Sequence, residues 1–223
     1  MTTSTKTPVK TSAKAILAAT VLSLSTAACS SVYYGTLEQF GVEKRDVLVD
    51  RVKDARAEQA DAQEVFTSAL DEFRSLVEVD GGALEKKYDR LSTSYDRSKK
   101  QAADVRKRIN DVETVGNKLF REWEKELKLY ESADLRRRSE RQLDLTRTEY
   151  TRLVSAMNKA ADRMGPVLEL YEDQVLFLKH NLNARAISSL DAERIKIESR
   201  VNDLIEEMNT AIAEADAFIA TMG

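Results

Sequence analysis

The sequence predicts an all-α fold, an elongated antiparallel up-down bundle of about four long helices with coiled-coil-like packing. Three observations carry this. Glycine and proline, which interrupt helices, number only seven and two, while 33% of the residues are charged and 6% aromatic. Apolar residues recur in alternating steps of three and four, which puts them on one helical face. The breaks in that rhythm coincide with turn and cap residues, Asp80-Gly81-Gly82 and Ser132 among them.

The first seam runs Leu48, Val52, Ala55, Gln59, Ala62, Phe66, Ala69, Phe73 and Leu76, with Gln59 as its one polar member. The second runs Leu84, Tyr88, Leu91, Tyr95, Ser98, Ala102, Val105, Ile109, Val112, Gly116, Leu119 and Trp123, about six heptads long, and continues with a one-residue slip through Leu127 and Tyr130. Ser98 and Gly116 are the positions in it that permit close approach of a neighbour. The third comprises Leu143, Thr146, Tyr150, Leu153, Met157, Ala160, Met164, Val167 and Tyr171. Its phase passes through Gly165-Pro166, so a kinked continuous helix is expected, with a helix restarted at Pro166 as the alternative. The fourth comprises Leu190, Ile197, Val201, Leu204, Met208, Ala211, Ala215 and Phe218, widened by Ile205, Ile212 and Ile219.

Helix ends follow from the residues between the seams. Asp80-Gly81-Gly82 supplies a reversal, Ser132 caps the third helix, and Ser188 or Ser189 the fourth. Thr36 with Gln39 has the form of a capping box, opening a short helix before Gly41. Connections this short between long helices make neighbours antiparallel.

The chain's one cysteine stands in Ser25-Thr26-Ala27-Ala28-Cys29-Ser30-Ser31. Ahead of it Lys6, Lys10 and Lys14 precede an apolar run from Ala15 to Ala28, and no Asp or Glu occurs before Glu38. This is the layout of a secretory leader, and the run is shorter than the ~20 residues that span a bilayer. Small residues before a cysteine resemble a bacterial lipobox, in which that cysteine receives diacylglycerol and becomes the mature terminus. Ala27 and Ala28 fit, whereas Thr26 stands where an aliphatic residue is usual. The other reading is ordinary cleavage near Thr26-Ala27-Ala28, which would leave a soluble periplasmic protein. Resemblance to sorted lipoproteins of Gram-negative bacteria implies that Ser30, in place of a retaining aspartate, directs the protein to the periplasmic face of the outer membrane. The expected organisation is a removed leader over 1–28, a lipid-modified Cys29 with a short tether over 29–41, and one helical bundle over 42–223.

Loss of the three leader lysines leaves 32 basic against 38 acidic residues. That mild acidity, together with export, argues against a nucleic-acid partner. The expected partners are the bilayer, through acylated Cys29, and a protein or a second copy. One histidine forbids a two-His metal site, and an acylated Cys29 leaves no thiolate. No GxSxG elbow, P-loop or GxGxxG occurs. No catalysis, cofactor or metal is therefore expected.

Two clusters remain as interaction candidates. In "QVLFLKHNLNARAISSL", residues 174–190, a contiguous apolar run is followed by His180, Asn181 and Asn183. These are either a small binding site or an end in which Lys179 and His180 answer the helix dipole and one asparagine takes a left-handed cap. Arg136, Arg137, Arg138, Arg141, Arg147 and Arg152 form a basic stretch suited to anionic headgroups, yet Glu140, Asp144 and Glu149 interleave with it as on a salt-bridged face. The function expected first is a structural or scaffolding lipoprotein, and second a membrane-surface module that uses the basic face.

The same "QVLFLKHNLNARAISSL", with "YYGTLEQFGVEKRDVLVDRV" at 33–52, resembles the proteobacterial lipoproteins of domain-of-unknown-function family 2959. The resemblance covers essentially the whole chain after the leader. It implies helical lipoproteins and no catalytic residues to carry over.

Overall fold

The computed structural model describes the backbone of residues 28–78, 84–181 and 184–222, and side chains over 44–77, 84–181 and 189–222. Four helices follow in order: α1 (Ala28–Glu78), α2 (Leu84–Glu126), α3 (Ala133–His180) and α4 (Ala184–Met222), with a 3-10 turn, Leu127–Leu129, closing α2. No strand occurs among the described residues. The chain divides into two compact units, Met1–Val42 and Glu43–Gly223, and the second holds the bundle.

Each neighbouring pair of helices in that unit is antiparallel, as paired side chains show. Between α1 and α2, Glu58 accepts from Gln101 at 2.7 Å and Glu72 pairs with Arg90 at 3.0 Å. Between α1 and α4, Arg56 meets Asp216 at 3.0 Å and Arg74 meets Glu198 at 2.9 Å. Glu113 accepts from Asn158 at 2.8 Å between α2 and α3, where Glu124 pairs with Arg147 at 2.7 Å. Lys159 reaches Glu207 at 2.8 Å and Arg152 reaches Glu214 at 4.0 Å between α3 and α4. In every set one number rises as the other falls. On the diagonal, Gln59 donates to the Met157 carbonyl and Phe73 packs edge-on against Tyr171, so α1 and α3 are parallel. This is an all-α, up-down four-helix bundle.

The predicted seams are its core. All nine residues of the first seam, Gln59 included, are buried, as are the nine of the third and the eight of the fourth. The second seam is buried from Leu91 to Leu119, while Leu84, Tyr88 and Trp123 are half-buried against it. Trp123 is held at that margin because its indole Nε1 donates to Ser139 Oγ at 2.8 Å. Tyr130, expected in the seam, is exposed instead: α2 has already tightened into its 3-10 turn, and Tyr130 is extended. The two small seam residues act differently. The Gly116 backbone lies directly against the ring tip of Tyr150, whereas Ser98 donates back to the Ser94 carbonyl at 2.9 Å.

α3 is one helix through Gly165-Pro166. A proline leaves the carbonyl four residues before it without its helical donor. Here that is the Asp162 carbonyl; next to it Arg106 of α2 donates to the Ala161 carbonyl at 3.0 Å and to the Asp162 carboxylate at 3.2 Å. Ser132 caps α3 as expected, accepting from the Leu135 N–H at 3.4 Å. Ser188 and Ser189 do not cap α4, which begins at Ala184 and carries both inside it. Nor does a separate short helix run from Thr36 to Gly41, since the backbone of α1 is continuous from Ala28 and the stretch expected as a tether, 29–41, is helical. Asp80-Gly81-Gly82 lies outside the described residues.

Candidate functional site

The end of the bundle that carries the α2–α3 connection brings together the exposed apolar and basic side chains. The chain leaves α2 through Leu127–Leu129 and enters α3 at Ala133. Leu129, Tyr130 and Leu135 are 41%, 42% and 52% exposed, so this connection presents an apolar tip to solvent. Short helix-end segments cannot turn every side chain inward, because the core stops where the seams of the other two helices stop. α4 ends at Met222, whose carbonyl accepts from Arg45 at 3.2 Å, and Lys44 of α1 pairs with Glu122 of α2. From Glu122 to Tyr130 the connection therefore runs about 12 Å past the level of Lys44.

Around the tip the predicted basic cluster is in part compensated. Arg136 pairs with Glu140 at 2.9 Å, and Asp134 takes Arg138 at 2.9 Å and Arg137 at 3.6 Å. Asp134 also stands in the first turn of α3, where the helix dipole favours an anion. Arg147 belongs to the flank, paired with Glu124 and stacked over Phe120 at 5.2 Å. Arg141, Lys125 and Lys128 are exposed and make no ion pair among the described residues. Burial pushes the Glu126 carboxyl up, against the pull of Lys44.

Of the other predicted cluster, His180 and Asn181 stand at the C-terminal end of α3. His180 is exposed in the last turn of α3 with Lys179, and Asn181 closes the helix: its N–H donates to the Leu178 carbonyl at 3.1 Å and its Nδ2 to the Phe177 carbonyl at 3.0 Å. Asn181 has φ −133° and ψ 57°, so it is not the left-handed cap expected. Asn183 and the side chain of Cys29 lie outside the described residues.

A shallow groove of about 230 Å³ opens between α1 and α2, lined by Ser68, Thr93, Ser94 and Arg97 beside the Glu72–Arg90 pair. It sets hydroxyls beside a guanidinium and has no imidazole or thiolate to activate them. Two polar atoms are buried without a partner, Gln59 Oε1 and Tyr171 Oη, both packed in the core. Among the described residues no group of three or more His, Cys, Asp or Glu side chains is placed to hold a metal, and no helix is long and apolar enough to cross a membrane.

The family model described as "Protein of unknown function (DUF2959)" matches residues 33–222. The chain belongs to the DUF2959 family. No curated protein and no solved structure matches it. For a DUF2959 chain the match begins just past Cys29 and takes in every element of the bundle, the tip included. Sequence reasoning found the arginines but missed the apolar tip, because it ran the α2 seam one step too far, to Tyr130. The signal lay in the slip after Trp123, followed at once by the Ser132 cap.

Proposed function

We propose that this DUF2959 protein is a non-catalytic, lipid-anchored module of the bacterial cell envelope, a helical scaffold held at the periplasmic face of a membrane by acylated Cys29. The observation that carries the reading is the leader, three lysines and an apolar run ending in Ala27-Ala28-Cys29, with that cysteine the only one in the chain. A thiol exported to an oxidising compartment without a partner calls for such a fate. Two or more acyl chains, at about 0.8 kcal/mol per buried CH₂, anchor a protein stably without a membrane-spanning helix. Ser30 supports the outer membrane as the destination.

The scaffold part of the reading is supported by how the surface is spent. Charged side chains on all four helices are used in cross-helix pairs that fix the bundle rather than converging on a cleft. Its ligand is then another surface, a protein or a second copy, met by a helix face or an end.

Cys29→Ser tests the anchor. Fatty-acid labelling of the protein should vanish, leaving uncleaved precursor or protein released to the soluble fraction. Labelling that persists at the wild-type level overturns the reading.

A further inference from the structure

We infer that the α2–α3 tip is a second, end-on membrane contact: Leu129, Tyr130 and Leu135 enter the interface of the bilayer that holds Cys29, and the cations beside them meet anionic headgroups. This rests on the lipid-anchor reading for which bilayer is touched, though not for the chemistry of the contact.

Three observations converge on it. The first is apolar exposure: Leu129, Tyr130 and Leu135 cluster at this one connection, whereas Val47, Leu145, Leu176, Phe177 and Ile195, the other exposed large apolar side chains among the described residues, lie along the helices. A tyrosine flanked by leucines suits the headgroup boundary, where the ring body is apolar and the hydroxyl stays wet. The second is charge. Lys125, Lys128, Arg136, Arg137, Arg138 and Arg141 outnumber Glu126, Glu131, Asp134 and Glu140 at this end, although the chain as a whole is at −3. Lys125, Lys128 and Arg141, without an ion pair among the described residues, lie on both arms of the connection, so they flank the apolar residues from either side. Long basic side chains can lay their stems on the interface and keep their charges at phosphate level.

The third is where the chain goes. It enters the bundle at Lys44, which pairs with Glu122, at the same end as the tip. Cys29 lies fifteen residues before Lys44. That length reaches about 22 Å as helix and roughly 50 Å fully extended. The tip runs about 12 Å past Lys44 on the side from which the chain enters. The opposite end, which carries His180, is a full helix length away, roughly 65 Å for the 43 residues of α2. Along the chain the anchor is thus far nearer to the α2–α3 end than to the end that carries His180, and the proposed contact is made end-on by that connection.

The test uses the full chain, purified from membranes and reconstituted into phosphatidylcholine vesicles with or without phosphatidylglycerol, both with brominated acyl chains. Tryptophan is placed by Tyr130→Trp at the tip, and by Leu145→Trp at an exposed site about 15 Å back along α3 from Leu135. The wild-type chain gives the background of Trp123. Interfacial side chains sink about 5–10 Å, so position 130 should be quenched roughly twofold or more above position 145, and more strongly with phosphatidylglycerol. Equal quenching at both positions means the bundle lies on its side and overturns the proposal. Unquenched but blue-shifted emission at position 130 assigns the tip to a second copy or another protein and also overturns it. The mass of the Cys29 peptide reads the anchor separately: an unmodified peptide with position 130 still quenched refutes the anchor and supports the tip contact.

Discussion

Gly116 and Gly165 both occupy helix interiors, yet their surroundings give them different meanings. A Cβ on Gly116 would fall inside the contact distance of the Tyr150 ring tip, and that ring is held by Phe120 at 5.0 Å and Phe218 at 6.3 Å. Overpacking of this kind costs about 1–3 kcal/mol, against about 1 kcal/mol gained when alanine replaces glycine in a helix. A Cβ on Gly165 meets nothing within 4 Å apart from its chain neighbours, but the Cδ of Pro166 crowds the Cβ of a helical residue before it, which offsets the gain. Gly116→Ala should thus lower the melting temperature and Gly165→Ala leave it nearly unchanged, at roughly 2–4 °C per kcal/mol for a chain of this size. Thermal unfolding followed by circular dichroism decides, and a Gly116→Ala protein more stable than wild type would show that Tyr150 is not fixed there. The seam marked Gly116 as a place of close approach, but which side chain fills the space depends on a residue 34 positions away.

At the scale of the element, α3 is the informative helix. Its apolar phase crosses Gly165-Pro166 unbroken, which made one continuous helix the expected form, and the helix is continuous. The phase alone left open how a helix tolerates the lost donor. Arg106 does not replace that donor at the Asp162 carbonyl but reaches across from α2 to the neighbouring Ala161 carbonyl and the Asp162 carboxylate, tying the weakened turn to α2. Arg106→Ala should cost about 1–2 kcal/mol, in line with a charge-assisted hydrogen bond. In a Pro166→Ala background the cost should shrink by about 0.5 kcal/mol or more, the coupling typical of residues that act on one site. Denaturant unfolding of the four proteins of the cycle measures it, and strict additivity would show that Arg106 and the proline are unrelated.

The whole molecule responds to pH through its buried phenols. Burial, with Glu113 nearby, pushes the Tyr150 hydroxyl up to about 12, and burial raises that of Tyr171 as well. Both are protonated in the fold at pH values where an exposed tyrosine, near 10, ionises. The unfolded chain binds fewer protons above pH 10, so stability is full below that and falls as pH rises toward the folded value. For Tyr150 the loss amounts to about 2–3 kcal/mol between pH 10 and 12. Tyr150→Phe should flatten the fall across that window in a pH series of thermal melts, leaving the share of Tyr171. An unchanged slope would mean that the Tyr150 hydroxyl reaches water. The register that buries these rings is itself a property of the assembled bundle, with Gln59 set in a layer with Ala55, Ala62 and Met157 and donating to the Met157 carbonyl.

The sequence by itself determined the helices, their antiparallel order and nearly every core residue, because a three-four apolar period can be buried in only one way on a helix. It determined the Ser132 cap for the same local reason, since a cap is made with backbone three residues on. Only the tertiary structure decided where the exceptions fall. Trp123 sits at the margin because Ser139 of another helix takes its N–H. Arg136, Arg137 and Arg138 pair within α3, while Arg141 makes no ion pair among the described residues. The tip is apolar and exposed because α2 tightens into the Leu127–Leu129 turn, which leaves Leu129 and Tyr130 off the α2 seam, and Leu135 lies off the α3 seam. Helix periodicity is a local property of the backbone, but which ends of four helices are level is decided by their contacts with one another.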